Sequence, residues 1–119
     1  MNRLALVTLA ALAGIVCMAA DKSVLDQAFK NTIVSTYPDG RQAKLWLAAN
    51  GSYTAEGRRH DRSNGHWTLK DDKICLRQSH PATLPLSYCT ALPSGGVGAS
   101  WSAKAVTGEP IKVKLVSGR

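Results

Sequence analysis

The side chains able to do chemistry in this 119-residue chain are few, and they gather in three places. Cys75 and Cys89 bracket the stretch KICLRQSHPATLPLSYC. His60, Asp61 and His66 fall in or beside one polar stretch, RHDRSNG, and His80 lies in another. Arg58, Arg59 and Arg62 crowd around His60. Two thiols can close a disulfide, share a metal ion or act as a redox pair. A zinc site wants further ligands at short spacing, and only His80 lies between the cysteines. A redox pair prefers the C-x-x-C spacing, which is absent here.

The local pattern favours the disulfide. In a strand, Ile74 and Leu76 share one face and Cys75 and Arg77 the other. Leu84, Leu86, Tyr88 and Thr90 share a face opposite Ser87, Cys89 and Ala91. Folding the chain back around Ala82 sets Cys75 opposite Cys89 and Leu76 opposite Tyr88. Opposed residues in a non-hydrogen-bonded antiparallel pair have Cα atoms about 4.5 Å apart, within disulfide range. Closing a loop of about 15 residues stabilises a fold by roughly 3 kcal/mol in the chain-entropy model. The expectation is a structural staple.

Imidazole and carboxylate groups bind zinc or copper when three or four converge. Nothing in this spacing brings the histidines together, and His66 is expected to face out of its strand. No metal and no cofactor are expected. The glycine-rich SGGVGAS could cradle a phosphate, but a phosphate loop opens a helix and ends in lysine. The residues after this one read as a strand, so a flexible hairpin connection is expected. No nucleophile elbow or activated-cysteine motif is present. Asp39, Asp71 and Asp72 read as turn residues and Asp61 as a loop residue. The sequence points away from an enzyme.

The basic residues carry more information. Arg58, Arg59 and Arg62 share one loop. Lys112 and Lys114 alternate with Ile111, Val113 and Leu115, which puts both lysines on the outer face of the last strand. Lys104 is expected to face outward on the neighbouring strand. Outward lysines also discourage edge-to-edge pairing. These six residues form the candidate binding set for an anionic partner: an envelope polymer, lipid headgroups or an acidic protein. Nucleic acid is not expected, because base stacking needs exposed aromatics. Trp46 is the only candidate, with Trp67 and Trp101 expected inward. The alternative function is an inhibitor of a periplasmic or extracellular hydrolase, with RRHDRSNG or SGGVGAS presented to the target cleft.

The elements that must position these groups begin after residue 20. Residues 1–20, MNRLALVTLAALAGIVCMAA, have one charge (Arg3), an apolar run too short to span a bilayer, and small residues at the end. That is the layout of a bacterial export signal, implying a periplasmic or secreted protein with no transmembrane segment after cleavage. Cys17 lacks the small residue that should precede a lipidated cysteine. Removing the signal takes Arg3 from the 15 basic residues and leaves 14 against 8 acidic, a formal charge of +6. Two cysteines then remain in an oxidising setting, which again favours a disulfide.

The remaining residues, 21–119, are expected to form a single β-rich domain. Residues 21–30, DKSVLDQAFK, fit a short helix, with Asp21 or Ser23 as cap. Residues 31–119 hold eight short strand candidates separated by turn chemistry such as PDGR and NG. The expected fold is mainly β: an antiparallel meander closing into a small barrel or sandwich of about eight strands.

A resemblance adds to this reading. A hairpin ending in Asn50-Gly51, then Gly65-His66-Trp67 opening a strand, then Cys75 and Cys89, resembles a widespread type of small exported proteobacterial protein. It implies a β-barrel-like exported domain and brings no activity with it. More loosely, the G-x-W opening is similar to lipocalin-like and avidin-like barrels. The usual lipocalin length and further motifs are missing, so ligand binding is not carried over.

Overall fold

The computed structural model describes residues 24–82 and 87–119. The expected export signal, Cys17, the cap candidates Asp21 and Ser23, and Leu84 and Leu86 lie outside the described residues. A short helix, α1 (Val24–Ala28), precedes eight strands: β1 (Thr32–Thr36), β2 (Gln42–Leu47), β3 (Ser52–Glu56), β4 (Arg62–Lys70), β5 (Lys73–His80), β6 (Tyr88–Ala91), β7 (Ser100–Lys104) and β8 (Pro110–Val116).

The strands form one antiparallel sheet in the order β6-β5-β4-β3-β2-β1-β8-β7. Each strand pairs with its neighbour in sequence except β6 with β7, and β8 pairs back onto β1 through Ile33↔Leu115 and flanking residues. That closing ladder decides between the expected architectures. The fold is a nearly closed up-and-down barrel with one open seam, where the Tyr88 hydroxyl donates to the Lys104 carbonyl. The glycine-rich segment between β6 and β7 is therefore not a hairpin connection. It crosses the seam, anchored by Gly98 N–H to the Leu115 carbonyl at 2.8 Å and Leu115 N–H to the Ala99 carbonyl at 3.0 Å.

The cysteine register is the expected one. Cys75 faces Cys89 and Leu76 faces Tyr88. The disulfide joins Cα atoms 4.0 Å apart on the outer wall of the barrel, with Cys89 exposed. Another expectation needs correction. The polar stretch before Trp67 is mostly strand, because β4 begins at Arg62 and pairs with β3 from Glu56↔Arg62 to Ser52↔His66. Its polar side chains alternate on the solvent side, which composition alone reads as loop.

Alternation fills the interior. Ile33, Leu47, Tyr53, Ile74, Ile111, Val113 and Leu115 point inward and are buried. The helix closes one end: Val24, Leu25 and Ala28 are buried, Val24 N–H donates to the Pro93 carbonyl at 2.9 Å, and Phe29 stacks on Trp67 with centroids 5.9 Å apart. Trp67 also donates its indole N–H to the Ala48 carbonyl at 2.9 Å. The apolar space left inside is about 60 Å³, lined by Ile33, Leu45, Ile74, Leu76 and Trp101 among others.

The G-x-W motif acquires a physical reason here. Ser79 is an extra residue on β5, because Asn64 pairs with His80 and Gly65 with Gln78. At this bulge β5 comes so close that a Cβ on Gly65 would run into the Arg77 carbonyl and lie 2.9 Å from the Gln78 Cα. Backbone cannot swing aside as a side chain can. Gly65→Ala is expected to cost about 3 kcal/mol, at the upper end of overpacking effects. Urea unfolding would check this; a change within experimental error would show that the bulge adapts.

Candidate functional site

Opposite the helix, the connections Tyr37–Arg41, Gly57–Asp61 and Ala105–Glu109, with Pro81 and Ala82 after β5, make a rim. Three of these share one geometry with the Ala48–Ser52 hairpin at the helix end. In each, the first residue's carbonyl accepts from the N–H three positions on: Gly40 to Tyr37 (2.9 Å), Gly51 to Ala48 (3.1 Å), His60 to Gly57 (2.9 Å) and Gly108 to Ala105 (2.8 Å). This is the three-residue hairpin loop, a type I turn followed by a left-handed residue. Glycine fills the left-handed position at residues 40, 51 and 108, with φ of 87°, 94° and 91°. At the fourth it is His60, with φ of 70°. A side chain there is strained by roughly 1–2 kcal/mol. His60 Nδ1 lies 3.0 Å from Glu56 Oε2, which gives the exposed imidazole a local partner.

The three arginines expected to act together are used differently. Arg58 is turned into the rim, where its guanidinium binds Glu109 with two hydrogen bonds of 2.7 and 3.3 Å. It also reaches Asp39 at 3.5 Å and stacks 4.1 Å over the Tyr37 ring. One cation thus ties the β1–β2, β3–β4 and β7–β8 turns together. Thr107 Oγ1 completes the set by donating to Glu109 Oε1 at 2.9 Å. Hydrogen bonding by Arg58, then by Thr107, holds the Glu109 carboxyl below the usual carboxylate range. Burial pushes the Tyr37 hydroxyl up, against the pull of the Arg58 charge.

Arg62 pairs with Glu56 at 3.2 Å and lies 5.7 Å from the Trp46 ring. The Glu56 carboxyl is held low, chiefly by the His60 hydrogen bond and then by the Arg62 charge. Trp46 is the one aromatic candidate for an exposed face. It is half-buried, with its indole N–H donated to Thr32 Oγ1 at 2.9 Å. Arg59 is exposed. Lys104, Lys112 and Lys114 point outward as expected, and Lys112 Nζ donates to Ser102 Oγ at 3.2 Å.

Two basic residues escaped the sequence reading. Arg41 and Lys44 join Arg58, Arg59 and His60, with Glu56 as the one acid, around an open groove of about 700 Å³ between the β1–β2 and β3–β4 turns. Register supplies the missing signal: Lys44 lies beside Val34 on β1, and Val34 beside Lys114 on β8. Among the described residues, Lys44, Arg59, Lys104, Lys112 and Lys114 make no ion pair. No three His, Cys, Asp or Glu side chains among the described residues are placed to hold a metal ion.

This geometry has two measurable consequences. Because the folded Glu109 carboxyl sits below its ordinary value of 4.5, the Arg58 pair stabilises the fold above that pH. The contribution fades as pH falls through the lowered value. The stability gap between the parent protein and Glu109→Gln should therefore shrink on acidification below about pH 4.5 in urea titrations; a pH-independent gap would deny the pair that role. His60→Gly should raise stability by about 0.5–1 kcal/mol, the relief of a left-handed side chain less a weak exposed contact. Thermal melts that fall instead would place the greater weight on the Glu56 contact.

No protein-family model matches the chain, no curated protein matches it, and no solved structure matches its fold. The functional reading rests on the rim and its flanking wall.

Proposed function

We propose that this chain is a non-catalytic binding domain of an exported cell-envelope protein, and that it holds an anionic partner on the basic rim and the adjoining wall. The carrying observation is the division of labour among the cations. The acidic groups Asp39, Glu56 and Glu109 are taken up by Arg41, Arg58 and Arg62. Arg59, Lys44, Lys104, Lys112 and Lys114 keep their charge for something outside the fold. Such a surface steers polyanions and binds them in a salt-dependent way. Export, from the layout of residues 1–20, is part of the same proposal and places the domain where envelope polymers, anionic lipid headgroups and acidic proteins are available.

Within the proposed set, Arg58 and Arg62, each paired with a carboxylate of the fold, have a positioning role, and Arg59, Lys104, Lys112 and Lys114 the contacting one. Retention on immobilised polyphosphate should fall steeply as salt rises. Arg59→Ala combined with Lys112→Ala and Lys114→Ala should lower retention about tenfold or more at low salt, if each charge adds several tenths of a kcal/mol. Retention that ignores salt, or that survives the triple substitution, would defeat the reading.

A further inference from the structure

We infer that the rim is a docking face for an anionic phospholipid surface, with Val106 as its apolar tip; this rests on the anion-binding reading and names the partner. Val106 stands at the point of the β7–β8 turn and is 78% exposed, the most exposed large hydrophobic side chain among the described residues. Pro38 is exposed at the neighbouring β1–β2 turn. Between these turns runs a groove of about 300 Å³, lined by Thr36, Tyr37, Pro38, Ser102, Pro110 and Lys112 over the buried Ile111. On the other side of the β1–β2 turn lies the basic groove with Arg41, Lys44 and Arg59. Lys104 ends β7 next to the turn that carries Val106.

Apolar tips beside a band of cations match the interfacial zone of a bilayer, where side chains enter the headgroup boundary and basic residues meet anionic lipid. A soluble polyanion or an acidic protein would use the cations but has no need of an exposed valine at a turn tip. Lone exposed apolar residues are ordinary on protein surfaces. What sets Val106 apart is its place at the rim beside Lys104, whereas Val97 and Leu69, also exposed, lie toward the helix end, where the exposed lysines beside Leu69 are accompanied by Asp71 and Asp72. The tie through Arg58 joins the three rim turns before any contact is made, so little ordering is left for binding to impose.

Flotation of the chain with vesicles tests this. Vesicles of phosphatidylcholine plus phosphatidylglycerol should carry the protein, and phosphatidylcholine alone should not. Val106→Ser should lower partitioning about tenfold, as loss of a buried valine predicts. Lys104→Ala should lower it about fivefold. Val106→Leu should raise partitioning, a sign that misfolding cannot imitate. Val97→Ser should change nothing, and polyphosphate retention should be untouched by Val106→Ser. Polyphosphate binding without vesicle binding, or vesicle binding indifferent to Val106, overturns the lipid inference while leaving the anion reading intact. An equal loss in Val97→Ser overturns the orientation. Failure to bind either polyphosphate or vesicles removes both.

Discussion

An eight-stranded sheet curled on itself needs eight ladders to close, and among the described residues this one has seven. The missing ladder, between β6 and β7, leaves two strand edges with backbone groups unpaired by the sheet, a configuration that elsewhere invites pairing with other chains. Much of the remaining architecture answers to that gap. β6 has only four residues, which shortens the exposed edge. Its attachment to β5 is covalent as well as hydrogen-bonded, and the disulfide closes a 15-residue loop worth about 3 kcal/mol. The Tyr88–Lys104 bond bridges the seam directly, while α1 and the glycine-rich crossing fill one end. The outward placement of the disulfide is then intelligible. It fastens an edge strand, with Cys75 buried and Cys89 exposed.

At the other end the organising group is Arg58. An exposed ion pair contributes little to stability, about 0–1 kcal/mol. Arg58 is set apart by the number of connections it joins. A planar guanidinium can bind a carboxylate with two parallel hydrogen bonds and stack on an aromatic ring at the same time, which an ammonium cannot. Here those capacities reach Glu109 in one turn and Tyr37 and Asp39 in another, from a third. The consequence is geometric: three hairpin turns are held as one surface.

How far the sequence disclosed this differs from residue to residue. The Cys75–Cys89 register, the eight strands and the outward set of Lys112 and Lys114 were legible because each obeys period-two alternation and local turn chemistry. Arg58 and Arg59 could not be told apart. Adjacent residues in a tight turn project differently, and the partners that claim Arg58 lie 19 and 51 positions away. The start of β4 was hidden because Arg62, Ser63 and Asn64 have loop-like composition yet pair with β3. The open seam was invisible for a related reason. A glycine-rich stretch signals a connection but not whether the strands it joins are neighbours. In the sequence His60 is simply a titratable group, and its left-handed backbone emerges only once its turn is compared with the three glycine-bearing ones.

Barrels of this type divide into containers and scaffolds, and interior volume separates them. Pockets for small ligands run to about 300–1,000 Å³. The apolar space enclosed here is about 60 Å³, scarcely more than a water or two would occupy. Inward Leu47, Ile74 and Leu115 are fully buried, and the helix plugs the end where they lie. Among the described residues the interior leaves little room beyond that space. The tight hairpins at the rim, their left-handed positions and the single arginine that joins them are what a scaffold requires to hold charged and apolar tips at fixed separations.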